Sequence, residues 1–429
     1  MMMRQRLMGM LCSAILVVLC AGGSARAGGI SLYEFGSPDV GLAAAGYAAR
    51  AQDAATVFTN PAGMSRLEKS QFLGGLQALY GNIEFSPGAA TTVDGGDGGV
   101  AVGWIPGGSV FIVQKLNPDW SVGFGVLSYF GLSESYDDNW VGRYYVQKSA
   151  LLGLTLTPAV SYRVNNWLSV GAGLNMMLGY IDSEIAVNNA GEARPDGQLK
   201  YNDNQWGYGA NLGVLVEPMP GTRFGLTYLS EVKLDFGAVP EFSGLGPVLQ
   251  ALLVSRGLTT NNLDLSMTVP QMVMFSAYHE INATWAIMGN VGWQDWSRFG
   301  KVDVGINSSN PTSLTTDSDY NDTWHVALGV QYRHSPAWTF SCGVAYDSSA
   351  VDDDKRTVSV PMGEIWGFAL GAQYAVTPNL TLGAAYEFAW LGDMPVNQVR
   401  GVGPLANTVS GEFGSSSFSF FALNLKWTY

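Results

Sequence analysis

Asn117-Pro118-Asp119-Trp120-Ser121-Val122-Gly123-Phe124-Gly125 holds in nine residues the unit from which the chain is built. A short turn is followed at once by an aromatic residue. An extended segment comes next, with apolar residues on one face and glycine or small polar residues on the other. The unit recurs at Asn165-Asn166-Trp167-Leu168-Ser169-Val170-Gly171, at Pro218-Met219-Pro220-Gly221-Thr222-Arg223-Phe224-Gly225 and at Asn282-Ala283-Thr284-Trp285. Its last two instances are Ser335-Pro336-Ala337-Trp338-Thr339-Phe340 and Pro378-Asn379-Leu380-Thr381-Leu382-Gly383. Six tight turns, five of them followed by Trp or Phe, match one end of a membrane β-barrel with its aromatic girdle.

Between these turns run seven longer polar connections, near residues 86–103, 133–143, 186–203, 237–261, 298–320, 348–361 and 393–412. Six turns and seven loops delimit fourteen antiparallel strands. An even count, with short turns on one side and long loops on the other, is the bacterial outer-membrane pattern and leaves both termini periplasmic. A soluble β-sandwich also alternates, but it does not account for the strand count, the girdle and the N-terminal leader together. Aspartates in the loops, such as Asp352-Asp353-Asp354, lack EF-hand spacing and read as solvated.

Composition agrees. Of 429 residues 47% are hydrophobic and only 13% charged, with 54 glycines, against about 25% charged in soluble domains. Beyond the leader no apolar run reaches the roughly 20 residues of a spanning helix. Arg4 and Arg6, the apolar stretch Leu7–Leu19 and Ala25-Arg26-Ala27 form a secretory signal with an A-x-A cleavage site, so the mature chain is expected to begin at Gly28. The lipoprotein alternative at Cys20 is disfavoured by the large Leu19 before it. Cleavage takes the basic count from 22 to 19 against 35 acids, a net charge of −16, which excludes a nucleic-acid partner. It also leaves Cys342 alone, without an internal disulfide, as a small lipid-facing hydrophobe.

Strand faces follow from parity. In Phe224–Phe236 one face carries Phe224, Leu226, Tyr228, Ser230, Val232, Leu234 and Phe236, and the other carries Glu231, Lys233 and Asp235. A charge on the lipid face at mid-bilayer costs roughly 2–4 kcal/mol, so these three are expected in the lumen. Residues 28–68 differ: Ala43-Ala44-Ala45, Ala48-Ala49 and Ala54-Ala55 lack period-two alternation, and the stretch ends in Asn60-Pro61-Ala62. Pro61 fixes its own φ and holds Asn60 out of the helical region. This segment is expected to be a plug inside a barrel formed by 69–429. Phe242, Leu245, Val248, Leu249, Leu252 and Leu253 repeat at helical spacing in one loop. Such a stripe either packs on the barrel rim or receives a hydrophobic ligand. His279, His325 and His334 show no metal-ligand spacing, no nucleophile elbow is present, and neither an enzyme, a cofactor nor a metal is expected.

Several motifs in one order make the chain resemble the FadL/TodX (OmpP1) family of outer-membrane transporters for long-chain fatty acids and aromatic hydrocarbons. They are Glu34-Phe35, Asp53, Asn60-Pro61-Ala62, Trp104-Ile105-Pro106, Tyr129-Phe130-Gly131-Leu132 and Asn204-Gln205-Trp206-Gly207. Leu226-Thr227-Tyr228, Ser230-Glu231-Val232-Lys233-Leu234-Asp235-Phe236 and Thr284-Trp285-Ala286-Ile287 follow. The resemblance implies a fourteen-stranded barrel closed by an N-terminal hatch over about Gly28–Leu67. It also implies a kinked third strand that opens the wall sideways at Gly131, with Tyr129 in place of the family's asparagine. A low-affinity outer groove would fall at the stripe Leu245, Leu249, Leu252 and Leu253, and a tighter apolar pocket beside Ile30, Leu32 and Phe35. The expected partners are a hydrophobic small molecule, outer-membrane lipid and lipopolysaccharide. The expected function is passive uptake by a monomer, the alternative being a porin for hydrophilic solutes.

Overall fold

The computed structural model describes residues 28–189, 194–255, 257–306, 312–400 and 407–429. The expected leader, residues 1–27, lies outside them. Each of the six turns joins two strands that pair with each other. The turn chemistry is shared. Asn117 Oδ1 accepts from the backbone N–H groups of Asp119 and Trp120, both at 2.9 Å, and Asn165 and Asn282 do the same in their turns. Ser335 and Thr377 provide the equivalent hydroxyl acceptor. A side chain that mimics a backbone acceptor two residues on is what selects Asn, Ser and Thr at these corners.

Fourteen strands of the described chain close into one antiparallel wall. The first seven are β2 (Gln71–Asn82), β4 (Gly103–Lys115), β5 (Trp120–Ser135), β6 (Lys148–Arg163), β7 (Leu168–Val187), β8 (Gly197–Met219) and β9 (Thr222–Leu229). The others are β13 (Met272–Glu280), β14 (Trp285–Gln294), β17 (Thr323–Arg333), β18 (Trp338–Asp347), β19 (Ile365–Thr377), β20 (Leu380–Arg400) and β21 (Asn407–Thr428). Pairing of β2 with β21, from Gln71↔Thr428 to Asn82↔Ser417, seals the barrel and removes both edges. Outward residues such as Phe224, Leu226, Phe275, Leu328 and Leu423 are exposed. Aromatic pairs cross neighbouring strands at the turn end, Trp120 with Tyr162, Trp285 with Tyr332 and Trp338 with Tyr374, at centroid separations of 4.6–4.7 Å. At the loop end Tyr80 meets Trp104 and Tyr346 meets Trp366. These are the two girdles of a membrane-spanning barrel.

The long loops are more ordered than their polar composition suggests. Short strands β3 (Phe85–Pro87) and β11 (Glu241–Ser243) extend β21 and β8. A separate four-stranded sheet joins β10 (Val232–Ala238), β12 (Leu263–Val269), β15 (Lys301–Ile306) and β16 (Thr312–Asp317) across two loops. This sheet overturns the lumen placement of Glu231, Lys233 and Asp235. The chain leaves strand geometry at Ser230–Glu231, so parity counted from Phe224 no longer describes one wall. Beyond the break Val232, Leu234 and Phe236 are the buried face, inside the main apolar cluster, with Leu234 over Gly179 and Val232 over Gly207. Lys233 and Asp235 pair at 3.1 Å on the opposite face, with side chains 64% and 62% exposed, and Glu231 pairs with Arg298 in solvent.

The apolar stripe is also divided. The helix spans only Pro247–Ser255 and buries none of its residues. Phe242 lies in β11, and Leu245 precedes the helix and packs on Gly197 at the rim. Val248, Leu252 and Val254 are at least half exposed, and Leu249 and Leu253 are partly covered.

Candidate functional site

Small residues in the N-terminal segment allow it to run through the barrel. From Phe35 to Arg50 every residue is buried, and the segment packs one 3-10 turn (Pro38–Leu42) on β18, β19 and β20 and, beyond that stretch, another (Pro61–Arg66) on β6, β7 and β8. Glycines on the inner wall admit it: a Cβ at Gly225 would collide with the Ala48 carbonyl oxygen, and one at Gly343 with that of Leu42. Wall side chains then satisfy its backbone. Ser276 Oγ accepts from Ala48 N at 2.9 Å, Asn290 Oδ1 from Gly46 N at 2.8 Å and Gln77 Oε1 from Gly36 N at 2.8 Å. Asn60 Nδ2 donates to the carbonyls of Ala48 (2.7 Å) and Val214 (3.0 Å), while its Oδ1 accepts from Ala62 N, capping the turn that Pro61 begins. The Asn60-Pro61-Ala62 motif is thus a clamp between plug and wall.

An ionic knot sits in the plug. Arg50 Nε reaches Asp39 Oδ1 at 2.9 Å and its Nη2 reaches Asp53 Oδ2 at 2.7 Å, all three side chains being at most 4% exposed. Burial holds the Asp39 carboxyl above its ordinary range even beside Arg50. Desolvation therefore outweighs attraction for that acid, and the knot is stable only as a complete set.

The N-terminal strand β1 (Gly28–Ser31) occupies a gap in the wall. Strands β4 and β5 pair only from Lys115↔Ser121 to Ser109↔Leu127. A bulge between Leu127 and Phe130 then turns β5 inward, so that both of its faces are buried from Tyr129 to Glu134. The freed edge of β5 pairs with β1 at Gly28↔Leu132 and Ser31↔Phe130, and Tyr129 O accepts from Leu32 N at 2.7 Å. At the loop end the wall closes again where Ser135 N donates to Ala101 O at 2.7 Å. Pro106, which has no N–H to donate, lies on the facing stretch of β4. Gly131 is within this window, two residues beyond the bulge that makes it.

Beside the window lies a cavity of about 120 Å³. Its apolar walls include Ile83, Val102, Leu132, Trp296, Phe418 and Phe420, and Leu32, Tyr33 and Glu34 of the plug form one side. Leu32 lines it. Phe35 does not: it is 2% exposed and packs edge-on to Phe58 and Phe111, because the chain has by then turned into the plug interior. The side chain of Ile30 lies outside the described residues. Reasoning from strand patterns missed the polar members, Glu34, Glu387 and Asp347, with His325 behind them. The Tyr33 ring lies tilted at 37° against His325 with centroids 4.3 Å apart, and His325 Nδ1 lies 2.9 Å from Asp347 Oδ1. Burial, with Asp347 adding to it, pushes the Glu34 carboxyl up to about 7. A signal for Glu387 was present: it is the single charge in Ala384-Ala385-Tyr386-Glu387-Phe388, and mid-strand charges in a barrel face inward.

The family model described as outer membrane protein transport protein (OMPP1/FadL/TodX) matches residues 18–429. A long-chain fatty acid transport protein of Escherichia coli O6:H1 is 29% identical over 388 residues, covering 83% of this chain and 86% of that one. Outer membrane protein P1 of Haemophilus influenzae is 26% identical over 458 residues, covering 96% and 97%. In fold, the crystal structure of a Pseudomonas aeruginosa FadL homologue matches with a TM-score of 0.83 at 20% identity, over 93% of this chain and 99% of that one. The Ralstonia pickettii toluene transporter TbuX matches at 0.67 and 19%, with the same coverage. Proteins of this kind are carriers and channels rather than enzymes or general porins. The chain belongs to the OMPP1/FadL/TodX family of outer-membrane transport proteins.

Proposed function

We propose that this protein takes up a small hydrophobic compound across the outer membrane by passive diffusion through the side of its barrel. The exposed apolar helix Pro247–Ser255 makes first contact with the ligand, above a lipopolysaccharide leaflet that hydrocarbons cross slowly. The ligand then enters the cavity over Leu32, Tyr33 and Glu34. Displacement of β1 frees the window between β4 and β5, and the ligand leaves at Gly131 into the hydrocarbon core of the membrane. The observation that carries this reading is the continuity of β1 with the cavity wall: β1 fills the gap in the barrel, and its last residue, Ser31, begins the run Ser31–Glu34 that lines the cavity. A plug held by buried hydrogen bonds along its length should keep a wide barrel from leaking ions, which is why the porin alternative is set aside. No energy source is required, because transfer of apolar surface from water to lipid is itself favourable.

The test is to tie β1 to β5. Ser31 and Phe130 are register partners, at the spacing of roughly 4.5–5.5 Å that a disulfide can bridge. In a Cys342→Ser background the pair Ser31→Cys with Phe130→Cys should stop uptake of labelled toluene and of a labelled fatty acid when oxidised. Uptake should resume on reduction. Undiminished uptake of both labels with the cross-link complete would refute exit through the window.

A further inference from the structure

Under the plug, at the turn end of the barrel, Arg223 is a buried cation without a partner. It belongs to β9 and points inward: its neighbour Phe224 is exposed to lipid, and Gly225, on the same face, meets the Ala48 carbonyl. Two residues along a strand advance roughly 6.6 Å, so Arg223 sits one inward position below the plug. It is 5% exposed. Its guanidinium lies over the Tyr278 ring at 4.0 Å, a face that attracts a cation but offers no lone pair to its five N–H groups. Among the described residues no hydrogen bond or ion pair reaches this side chain. Nε is sealed from solvent, whereas Nη1 and Nη2 form the open end of the fork.

The carboxylates nearby are already taken. Glu217 pairs with Arg66 at 2.6 Å and Glu280 with Arg333 at 2.9 Å. Both attract Arg223 without pairing with it, and Arg66 repels it. The Tyr278 hydroxyl is also in use, accepting from Gln52 of the plug at 3.0 Å and donating to Glu280 at 3.0 Å. Three cations, Arg66, Arg223 and Arg333, thus face two acids, which leaves one positive charge over. A buried charge without a counter-charge is costly, and it is retained where a ligand completes the pair. We propose that Arg223 is the centre of a binding site for one small organic carboxylate, entering from the periplasm and gripped by Nη1 and Nη2. A monoanion matches the single spare charge, and a phosphate dianion would exceed it. The plug closes the lumen above at Ala48, so the carbon body of the ligand hangs into the periplasmic mouth. The site is separate from the cavity beside β1 and from the window at Gly131, and it holds whatever the route of uptake.

Calorimetric titration of the full barrel in an uncharged detergent, at mildly alkaline pH, tests this with benzoate, inorganic phosphate and benzyl alcohol. Benzoate should bind and raise the melting temperature as it saturates the site. Phosphate should bind more weakly, and benzyl alcohol, the neutral counterpart, should not displace benzoate. Arg223→Met should weaken benzoate roughly a hundredfold. Without ligand it should melt higher than the wild type, because an unpaired buried charge is gone; an arginine kept only for its contact with Tyr278 predicts the opposite shift. Arg223→Lys keeps the charge, loses the fork and should weaken benzoate about tenfold. Normal heat-shifted electrophoretic mobility shows that each variant is folded. No benzoate binding to the wild type, or phosphate bound more tightly than benzoate, would overturn the proposal. So would benzoate binding unchanged in both variants, or a lower melting temperature of folded Arg223→Met.

Discussion

Replacing Arg50 by methionine tests whether the plug is held by its ionic knot. The guanidinium makes charged hydrogen bonds of 2.9 and 2.7 Å to Asp39 and Asp53, carboxylates that are each 2% exposed. Removing the cation leaves two acids in a site where water does not replace it. Breaking a buried pair this way costs about 3–5 kcal/mol. At 1.4 kcal/mol per factor of ten, the undocked fraction of the plug rises roughly a hundredfold to several thousandfold. The strand pairing of the wall contains none of the three residues, so the barrel itself survives. In planar bilayers Arg50→Met should therefore show frequent or sustained ion conductance where the wild type is silent. Heat-shifted electrophoretic mobility should remain normal, and proteolysis within residues 28–67 should be faster. The matched control is Arg50→Met with Asp39→Asn and Asp53→Asn, which removes the uncompensated charge and should restore much of the closure. A silent, protease-resistant Arg50→Met barrel would refute the assignment of plug stability to the knot.

Two further outcomes follow from the same contacts. Gly225→Ala drives a methyl into the Ala48 carbonyl. Overpacking of about 1–3 kcal/mol should loosen the plug and raise conductance without changing the β-sheet circular dichroism. The pH dependence comes from Glu34. Its carboxyl is raised to about 7 in the docked state, so docking is favoured with the proton on. That contribution is fully present below the undocked value and is lost as pH rises through about 7. A spin label at Ser31→Cys in a Cys342→Ser background should gain mobility as the pH rises from about 4.5 to about 7, and Glu34→Gln should flatten that rise. His325, Asp347 and Glu387, the titratable groups facing Glu34, are unaltered in both chains.

The plug carries its own strain. Ala43, Ala44 and Ala51 have φ of 47°, 58° and 41°, in the left-handed region that disfavours any residue with a Cβ. Each costs on the order of 1–2 kcal/mol, and the hydrogen bonds made by Gly46, Ala48 and Asn60 hold that geometry in place. A segment so held is poised to shift when one set of contacts is exchanged for another, as the proposed exit through the window requires.

Strand number, turn positions and the lipid-facing residues were legible in the sequence, because they depend on interactions between near neighbours. An Asn or Ser side chain closes its own turn, and period-two alternation reports which face meets lipid wherever the strand is unbroken. Parity has no memory across a break. At Ser230–Glu231 the chain leaves the wall, and the same alternation that placed Phe224 in lipid placed Lys233 in solvent rather than in the lumen. The plug could be delimited from its missing alternation and its Asn60-Pro61 boundary. Its path could not, since Phe35 and Leu32 differ only in where the chain turns. The cavity was the least visible part. Glu34 belongs to the plug, and His325, Asp347 and Glu387 come from three strands late in the chain. No local pattern links them; they meet only because closure of β2 onto β21 forces the last strands around the first described residues. What the sequence alone determined is a barrel in a membrane. What it carries is decided by groups that only the closed barrel brings together.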